Sequence, residues 1–128
     1  MLKFDLVLVF SAIQRNCIFL DIIQKLSRTF RILVYVLPLT ENQNIRLEKT
    51  SKLFLLKCEE LGAEVFSGTD IECQIMILAQ RNYKQQEIQK LTSSISAQRT
   101  LWLTGVAMGN AQYENLFGLK IDQVLVPD

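Results

Sequence analysis

The residues of this chain best placed to do chemistry are polar side chains and glycines that directly follow apolar runs. Residues 11–16 read "SAIQRN" after one such run, residues 80–82 read "QRN" after another, and residues 104–110 read "TGVAMGN" after a third. Polar side chains and free backbone N–H groups in such turns suit an anion or a sugar hydroxyl. The candidate binding residues in these stretches are Ser11, Gln14, Arg81, Gly105 and Gly109.

Each candidate has a purely structural alternative. Ser11 or Asn16 would serve equally well as the cap of the helix that follows. Arg81 has the planar group that holds a carboxylate or a phosphate, but a solvated surface arginine looks the same in a sequence. Gly105 and Gly109 allow a ligand to approach the backbone closely, and they also fit a plain turn.

Several well-known kinds of site are excluded by what the chain lacks. It contains no histidine, which removes the commonest general base and the commonest metal ligand. The first apolar run is not followed by the glycine-rich turn of a dinucleotide site, and no phosphate-binding P-loop pattern occurs. A receiver-type phosphoacceptor would need acidic residues where Ser11 and Ala12 stand. We therefore expect no cofactor, and the residues identify no catalytic group.

The three cysteines, Cys17, Cys58 and Cys73, are scattered and form no CxxC pair. This spacing does not fit a zinc site. An odd, scattered set is typical of buried thiols in a reducing cytoplasm. We therefore expect no metal site.

Length and composition predict one domain over residues 1–128, and the alternation of strand and helix patterns described below makes it an α/β domain. Of these residues 49% are hydrophobic, which is enough to form a core. The 14 basic and 13 acidic residues nearly balance, so a nucleic-acid partner is not expected. The N-terminus lacks a signal-peptide cleavage site, and no apolar run reaches the roughly 18 residues of a membrane-spanning helix. We expect a cytoplasmic protein, either free or peripheral to a membrane.

Apolar runs alternate with helical patterns along the chain. Runs that are apolar throughout are typical of parallel strands covered on both faces, and apolar spacings of three and four are typical of helices with one buried face. Gly62 stands where a helix-terminating glycine belongs. The pattern predicts strands at 5–10, 31–38, 63–68, 73–80, 100–105 and 120–127, and helices at about 15–29, 44–61, 82–98 and 110–117.

The same spacing predicts which side chains form the core. Trp102 lies in the middle of a predicted strand, so we expect it in the core rather than on a binding surface. The predicted buried helix positions are Phe19, Ile22, Ile23, Leu26 and Phe30, then Leu47, Phe54, Leu55, Cys58 and Leu61, and finally Lys84 (through its aliphatic stem), Ile88, Leu91 and Ile95.

The order β-α-β-α-β-β-α-β-α-β predicts a three-layer α/β fold. We expect an open, mostly parallel sheet of the Rossmann-like or flavodoxin-like type, with helices on both faces. The link "SGTDIE" at 67–72 is short, so a turn or a degenerate helix should replace a full crossover there. The short strand before it is a candidate sheet edge. Ligands of such sheets bind beyond the carboxyl ends of the strands, where the candidate residues lie.

Two stretches resemble the N-terminal Rossmann-like domain of GT-B type glycosyltransferases: "DLVLVFSAIQRNCIFLDIIQKLS" at 5–27 and "GLKIDQVLVPD" at 118–128. The likeness covers the whole chain in layout. In that family the N-terminal domain usually binds the acceptor, while a second domain binds the nucleotide sugar. The resemblance implies a sugar or lipid-linked acceptor, and either a second domain in a larger protein or a partner chain to complete catalysis. It implies binding roles for Ser11, Gln14, Arg81, Thr104 and Gly105.

Two other functions stay open. One is a non-catalytic flavodoxin-like or receiver-like module that acts through protein contact or as a homodimer, and the apolar content favours such self-association. The other is a small-molecule sensor whose loops close on a ligand. An interaction module should have no cleft at the carboxyl edge and should bury a helix face at an interface, whereas a sensor should show ligand-dependent stabilisation.

Overall fold

The computed structural model describes residues 1–10, 17–37, 45–79, 83–103, 115–116 and 118–125. Eleven elements occur in these ranges, and their positions agree with most of the predicted pattern. In chain order they are β1 (Leu2–Phe10), α1 (Cys17–Leu26), β2 (Ile32–Val36), α2 (Ile45–Glu60), β3 (Glu64–Val65), β4 (Ile71–Leu78), α3 (Gln85–Ser94), β5 (Ile95–Leu103), β6 (Asn115–Leu116), β7 (Leu119–Lys120) and β8 (Gln123–Leu125).

Six of the strands form one sheet in the order β3-β2-β1-β4-β5-β8, and every neighbouring pair is parallel. Counted along the chain, this is the 3-2-1-4-5-6 order of the Rossmann fold rather than the flavodoxin order. The predicted three-layer α/β fold is confirmed. The short strand β3 lies at an edge of the sheet, as its length predicted.

The sheet separates two apolar layers. Phe19 and Ile23 of α1 and Cys58 of α2 pack on one face, while Ile88 and Leu91 of α3 pack on the other. Right-handed crossovers explain this division, because the chain builds the sheet outward from β1 in one direction and then from β4 in the other. Among the described residues, none of the helices is long and apolar enough to span a membrane.

The chain passes from β3 to β4 without a helix, as the short link predicted. Phe66, the first residue of this link, packs on the face that α3 covers elsewhere, with its ring centroid 5.8 Å from that of Phe4. The Tyr35 hydroxyl donates to the Gly68 carbonyl oxygen at 3.4 Å. The Ser67 hydroxyl donates to the carbonyl oxygen of Val36 at 2.6 Å. These contacts hold the link against β1 and β2 without a helix.

Strand β1 contains an irregularity near its start. Phe4 and Val7 belong to the same apolar layer although they are three residues apart, whereas regular alternation places residues an even number apart on one face. The N–H groups of Asp5 and Leu6 both donate to the carbonyl oxygen of Arg31, at 2.9 and 3.2 Å. Two consecutive N–H groups that share one acceptor indicate a β-bulge.

The same shift occurs at the matching level of β4 and β5. Cys73 and Met76 share an apolar layer, and so do Ala97 and Trp102, again at odd separations. The three strands keep one register before and after the shift, so the irregularities are aligned across the sheet. The residues at this level, which we call the polar row, are Asp5, Gln74 and Gln98.

Two predictions about α3 are wrong. Residues 95–98, predicted as helix, belong to β5, because Ile95 closes the helix by donating its N–H to Leu91 O and then pairs with Ile71. Lys84 does not pack its stem in the core; it is exposed and precedes the helix, where its N–H donates to Glu87 Oε1 at 2.9 Å.

Two further predictions fail where a helix was extrapolated. Phe30 is 42% exposed, because α1 ends at Leu26 and the chain leaves the helical spiral before residue 30. The helix predicted at 110–117 is wrong at Asn115–Leu116, which form β6 and pair with β7 in an antiparallel hairpin. The rest of that predicted helix lies outside the described residues.

Most predicted core positions are confirmed. Trp102 is buried, and Ile22, Leu26, Phe54, Leu55 and Leu61 are partly buried against the core. The side chain of Leu47 lies outside the described residues. The predicted helix positions that are fully buried are Phe19, Ile23, Cys58, Ile88, Leu91 and Ile95.

Candidate functional site

The order of the strands reverses between β1 and β4, at the centre of the sheet. From β1 the chain continues to β2 on one side, and from β4 it continues to β5 on the other side. Connections that diverge in this way leave a crevice at the carboxyl ends of the two strands, which is where ligands of doubly wound sheets bind. The stretch 11–16 follows β1, and the stretch 80–82 follows β4.

The six candidate binding residues lie outside the described residues, so their binding roles stay predictions: Ser11, Gln14, Arg81, Thr104, Gly105 and Gly109.

The described carboxyl end of the central strands is apolar and tightly connected. Phe10, Leu37 and Ala79 are buried. The N–H of Leu37 donates to Phe10 O at 3.2 Å, and that of Ala79 donates to Val9 O at 3.4 Å. The Phe10 ring stacks on Phe54 of α2 with centroids 4.5 Å apart. The described residues of this edge are thus apolar and joined by backbone hydrogen bonds and ring packing.

Tyr83 fixes the start of α3 against the end of β4. Its hydroxyl donates to the carbonyl oxygen of Ala79 at 2.5 Å. Its ring meets Trp102 edge-on, with centroids 6.3 Å apart. Periodicity could not predict this contact, because Tyr83 precedes the helix and belongs to neither of the repeating patterns.

A second group of polar residues lies at the opposite, amino end of the sheet, and the sequence analysis missed it. Arg31 is its centre: Nε and Nη2 donate to Glu64 Oε2 and Oε1 at 2.7 and 3.0 Å. Its Nη1 donates to Lys3 O at 3.0 Å, its backbone N–H donates to Asp5 Oδ2 at 2.7 Å, and its guanidinium carbon lies 4.3 Å from the centroid of the Phe4 ring.

The ion pair changes the acidity of both partners. The hydrogen bonds from Arg31 lower the pKa of Glu64, and those to Glu64 raise the pKa of Arg31. Arg31 immediately precedes β2, and Glu64 is the first residue of the neighbouring strand β3. Charged residues at the starts of two otherwise apolar strands were the signal that could have indicated this pair.

A groove of about 400 Å³ opens beside this group, where the three central strands share their bulge level. Six of its eight lining residues are polar or charged, and the lining comes from β1, β4, β5 and the residue before β2. Because the strands run in parallel and in register, the polar row forms a continuous line across the groove. The lining residues are Lys3, Phe4, Asp5, Arg31, Glu72, Cys73, Gln74 and Gln98.

The described cysteines do not supply a reactive group. Cys58 and Cys73 are free and buried. Burial raises the pKa of Cys58 to about 11 and that of Cys73 to about 12, so both thiols are neutral near pH 7. Within the described ranges, three or more histidine, cysteine, aspartate or glutamate side chains never converge in a way that could hold a metal ion.

Comparison with known proteins adds no analogy, because no family model, no curated protein and no solved structure matches the chain.

Proposed function

We propose that this chain is the acceptor-binding domain of a GT-B type glycosyltransferase and that it is not catalytically complete alone. The observation that carries the proposal is the reversal of strand order between β1 and β4. The acceptor, a sugar or a lipid-linked sugar, binds at the carboxyl ends of these strands. Ser11, Gln14 and Arg81 contact its polar groups. A second domain or a partner chain binds the nucleotide sugar.

The residue types near the crevice support an acceptor rather than a nucleotide. The turn after β1 has no glycine among residues 11–16, so a pyrophosphate cannot approach the backbone as it does in dinucleotide sites. The nearly balanced charge of the chain also favours a neutral ligand over a phosphate-rich one. The apolar floor formed by Phe10, Leu37 and Ala79 provides the rigid support that a sugar site needs.

Titration of the ¹⁵N-labelled chain with sugars tests the proposal. We expect N-acetylglucosamine and short glycans to shift the backbone amide signals of Phe10, Ala79 and Leu103 in a saturable way, with UDP and GDP giving smaller shifts. Arg81→Ala should weaken this binding about tenfold, a loss of about 1.4 kcal/mol. The matched control is Arg28→Ala, which removes an exposed arginine beyond α1 and should leave the titration unchanged.

Two results would count against the acceptor domain. One is a stronger response to UDP or GDP than to any sugar at these amides. The other is the absence of a saturable response at the carboxyl edge for every sugar tested, while the chain remains folded by circular dichroism.

A non-catalytic interaction module is the second candidate, and one observation favours it. Leu53 and Leu56, three residues apart on the outer side of α2, are 69% and 57% exposed. Exposed leucines at this spacing are typical of a helix face that contacts another protein. A melting temperature that rises with protein concentration without ligand, and that loses this rise in Leu53→Lys, would favour the interaction module over the acceptor domain.

A further inference from the structure

The groove at the amino end of the sheet carries hydrogen-bonding groups that are not used within the fold. In the part of the chain that the structure describes, the side chains of Lys3, Glu72, Gln74 and Gln98 make no hydrogen bond or ion pair. They stand on three adjacent strands held in register. An ammonium group, a carboxylate and two amides are therefore presented side by side on a rigid floor.

The charges of the groove argue against an anionic ligand. The charge of Arg31 is paired with Glu64, and three of its five guanidinium N–H groups donate to Glu64 and to Lys3 O, whereas the Lys3 ammonium has no such carboxylate partner among the described residues. Asp5 and Glu72 add two carboxylates to the same lining. A phosphate or nucleotide would meet these carboxylates, and of the two lining cations Arg31 is already paired with Glu64.

The lining also argues against an apolar ligand. The aromatic residue of the lining, Phe4, is buried, and its ring centroid lies 4.3 Å from the Arg31 guanidinium carbon, so it presents no open face for stacking. What remains are donors and acceptors in mixed order, which suit a neutral molecule whose hydroxyl groups both donate and accept. The volume of about 400 Å³ is at the small end of the range for small-molecule sites.

We propose that this groove is a carbohydrate-binding site, in which the polar row and its neighbours Lys3 and Glu72 bind the hydroxyl groups of one or two sugar rings. The aligned bulges create the site, because they bring Asp5, Gln74 and Gln98 to one level of the sheet. Binding is weak, since the Phe4 face is not available for stacking, and selectivity comes from hydrogen bonds. The inference rests on the groove and is independent of the function proposed for the carboxyl edge.

Side-chain amide signals of the two glutamines provide a direct test. The ¹⁵N-labelled full chain is titrated with N-acetylglucosamine and with maltose, and in parallel with inorganic phosphate and with glycine. We expect saturable shifts of the Gln74 and Gln98 side-chain amides and of the Lys3 backbone amide with at least one sugar, at concentrations of about 1–10 mM. Phosphate and glycine should shift these signals less.

Variants separate this groove from the carboxyl edge. Gln74→Ala and Gln98→Ala each change an exposed residue and should each weaken the sugar response about tenfold. Gln24→Ala, an exposed residue of α1, is the matched control and should not. Arg81→Ala should leave the groove response intact, so the two sites can fail separately.

Three outcomes would overturn the carbohydrate site: stronger shifts with phosphate or glycine than with sugar, sugar shifts that do not saturate, and equal weakening by Gln24→Ala and Gln74→Ala.

Discussion

Arg31 and Glu64 form a two-point ion pair, with Nε–Oε2 and Nη2–Oε1 distances of 2.7 and 3.0 Å. The pair joins the start of β2 to the edge strand β3. The same arginine also holds the bulge of β1, because its backbone donates to Asp5 and its carbonyl oxygen accepts two N–H groups. Arg31 thus contacts both Glu64 in the edge strand β3 and Asp5 at one end of the polar row.

The first prediction concerns the pH dependence of this pair. Arg31 lowers the pKa of Glu64 below its ordinary value of 4.5. Stability from the pair should therefore be fully present above about pH 5 and lost as the pH falls through the lowered pKa, since protonation removes the carboxylate. Because both side chains are about half exposed, Glu64→Gln should reduce the free energy of unfolding at pH 7 by less than about 1 kcal/mol.

Urea unfolding of wild type and Glu64→Gln at several pH values between about 3 and 7 measures this difference. The difference should shrink at low pH and at high salt. In an Arg31→Gln background the Glu64→Gln substitution should have almost no effect. A difference that stays constant with pH and survives in that background would show that the ion pair does not stabilise the edge.

The second prediction compares two glycines with positive φ. Gly62 ends α2 with φ +106°, and an added Cβ would lie 3.2 Å from Ser27 Cβ. Gly118 has φ +92°, but a Cβ there would meet nothing within 4 Å. Gly62→Ala should therefore lower the free energy of unfolding by about 1–2 kcal/mol or more. Gly118→Ala should lower it less, because backbone strain from the positive φ is the only cost there, without a steric contact of the new Cβ.

Thermal and urea unfolding of both glycine variants give the comparison. An equal loss in the two variants would mean that the Ser27 contact relaxes freely. A larger loss in Gly118→Ala would contradict the prediction.

The third prediction concerns the buried thiols. Burial raises the pKa of Cys58 to about 11 and that of Cys73 to about 12, from 9.0 in each case. These thiols should not react with a thiol reagent at pH 8 unless the chain opens. The contribution of these protonated thiols to the free energy of unfolding should be present below pH 9 and lost as the pH rises from 9 toward 11, because the thiols ionise at a lower pH in the unfolded chain than in the folded chain.

Native and urea-unfolded labelling at pH 8, read by mass spectrometry of the peptides that contain Cys58 and Cys73, tests the protection. Rapid modification of either residue in the native chain, at the rate seen in urea, would contradict it.

The fourth prediction concerns the attachment of β8. The Thr100 N–H donates to Asp122 Oδ2 at 2.7 Å, and the Asp122 N–H donates to Thr100 O at 2.8 Å. Thr100 is buried, so Asp122→Ala leaves its N–H without this acceptor and should cost about 1–3 kcal/mol. Asp122→Asn keeps an acceptor oxygen and should cost less.

Hydrogen exchange at Gln123–Leu125 should become faster in Asp122→Ala, because these residues form the strand that the contact secures. Asp21→Ala, an exposed residue of α1, is the control. Exchange at β8 that is the same in Asp122→Ala and the control would show that β8 is held by its pairing with β5 alone.

The local pattern of this chain was sufficient to predict its layers. Strands such as "LVLVF" at 6–10 are apolar throughout because both of their faces are covered, and α1 and α2 show one apolar face because only one side of each helix meets the sheet. The absence of a helix between β3 and β4 followed from the length of the link alone. The boundaries of the elements were less predictable. Ile95 is apolar and fits both the buried face of α3 and the start of β5, and it belongs to β5 because it pairs with Ile71.

The polar row and the Arg31–Glu64 pair depend on tertiary structure. Asp5, Gln74 and Gln98 are separated by tens of residues, and single-strand periodicity does not reveal that three bulges align. Register between parallel strands is set by packing across the whole sheet, so only the assembled fold brings these residues to one level. The sequence by itself determined which segments are buried, because burial follows from local composition. Tertiary structure decided which polar residues meet, because neighbours across a sheet are chosen by strand order and register.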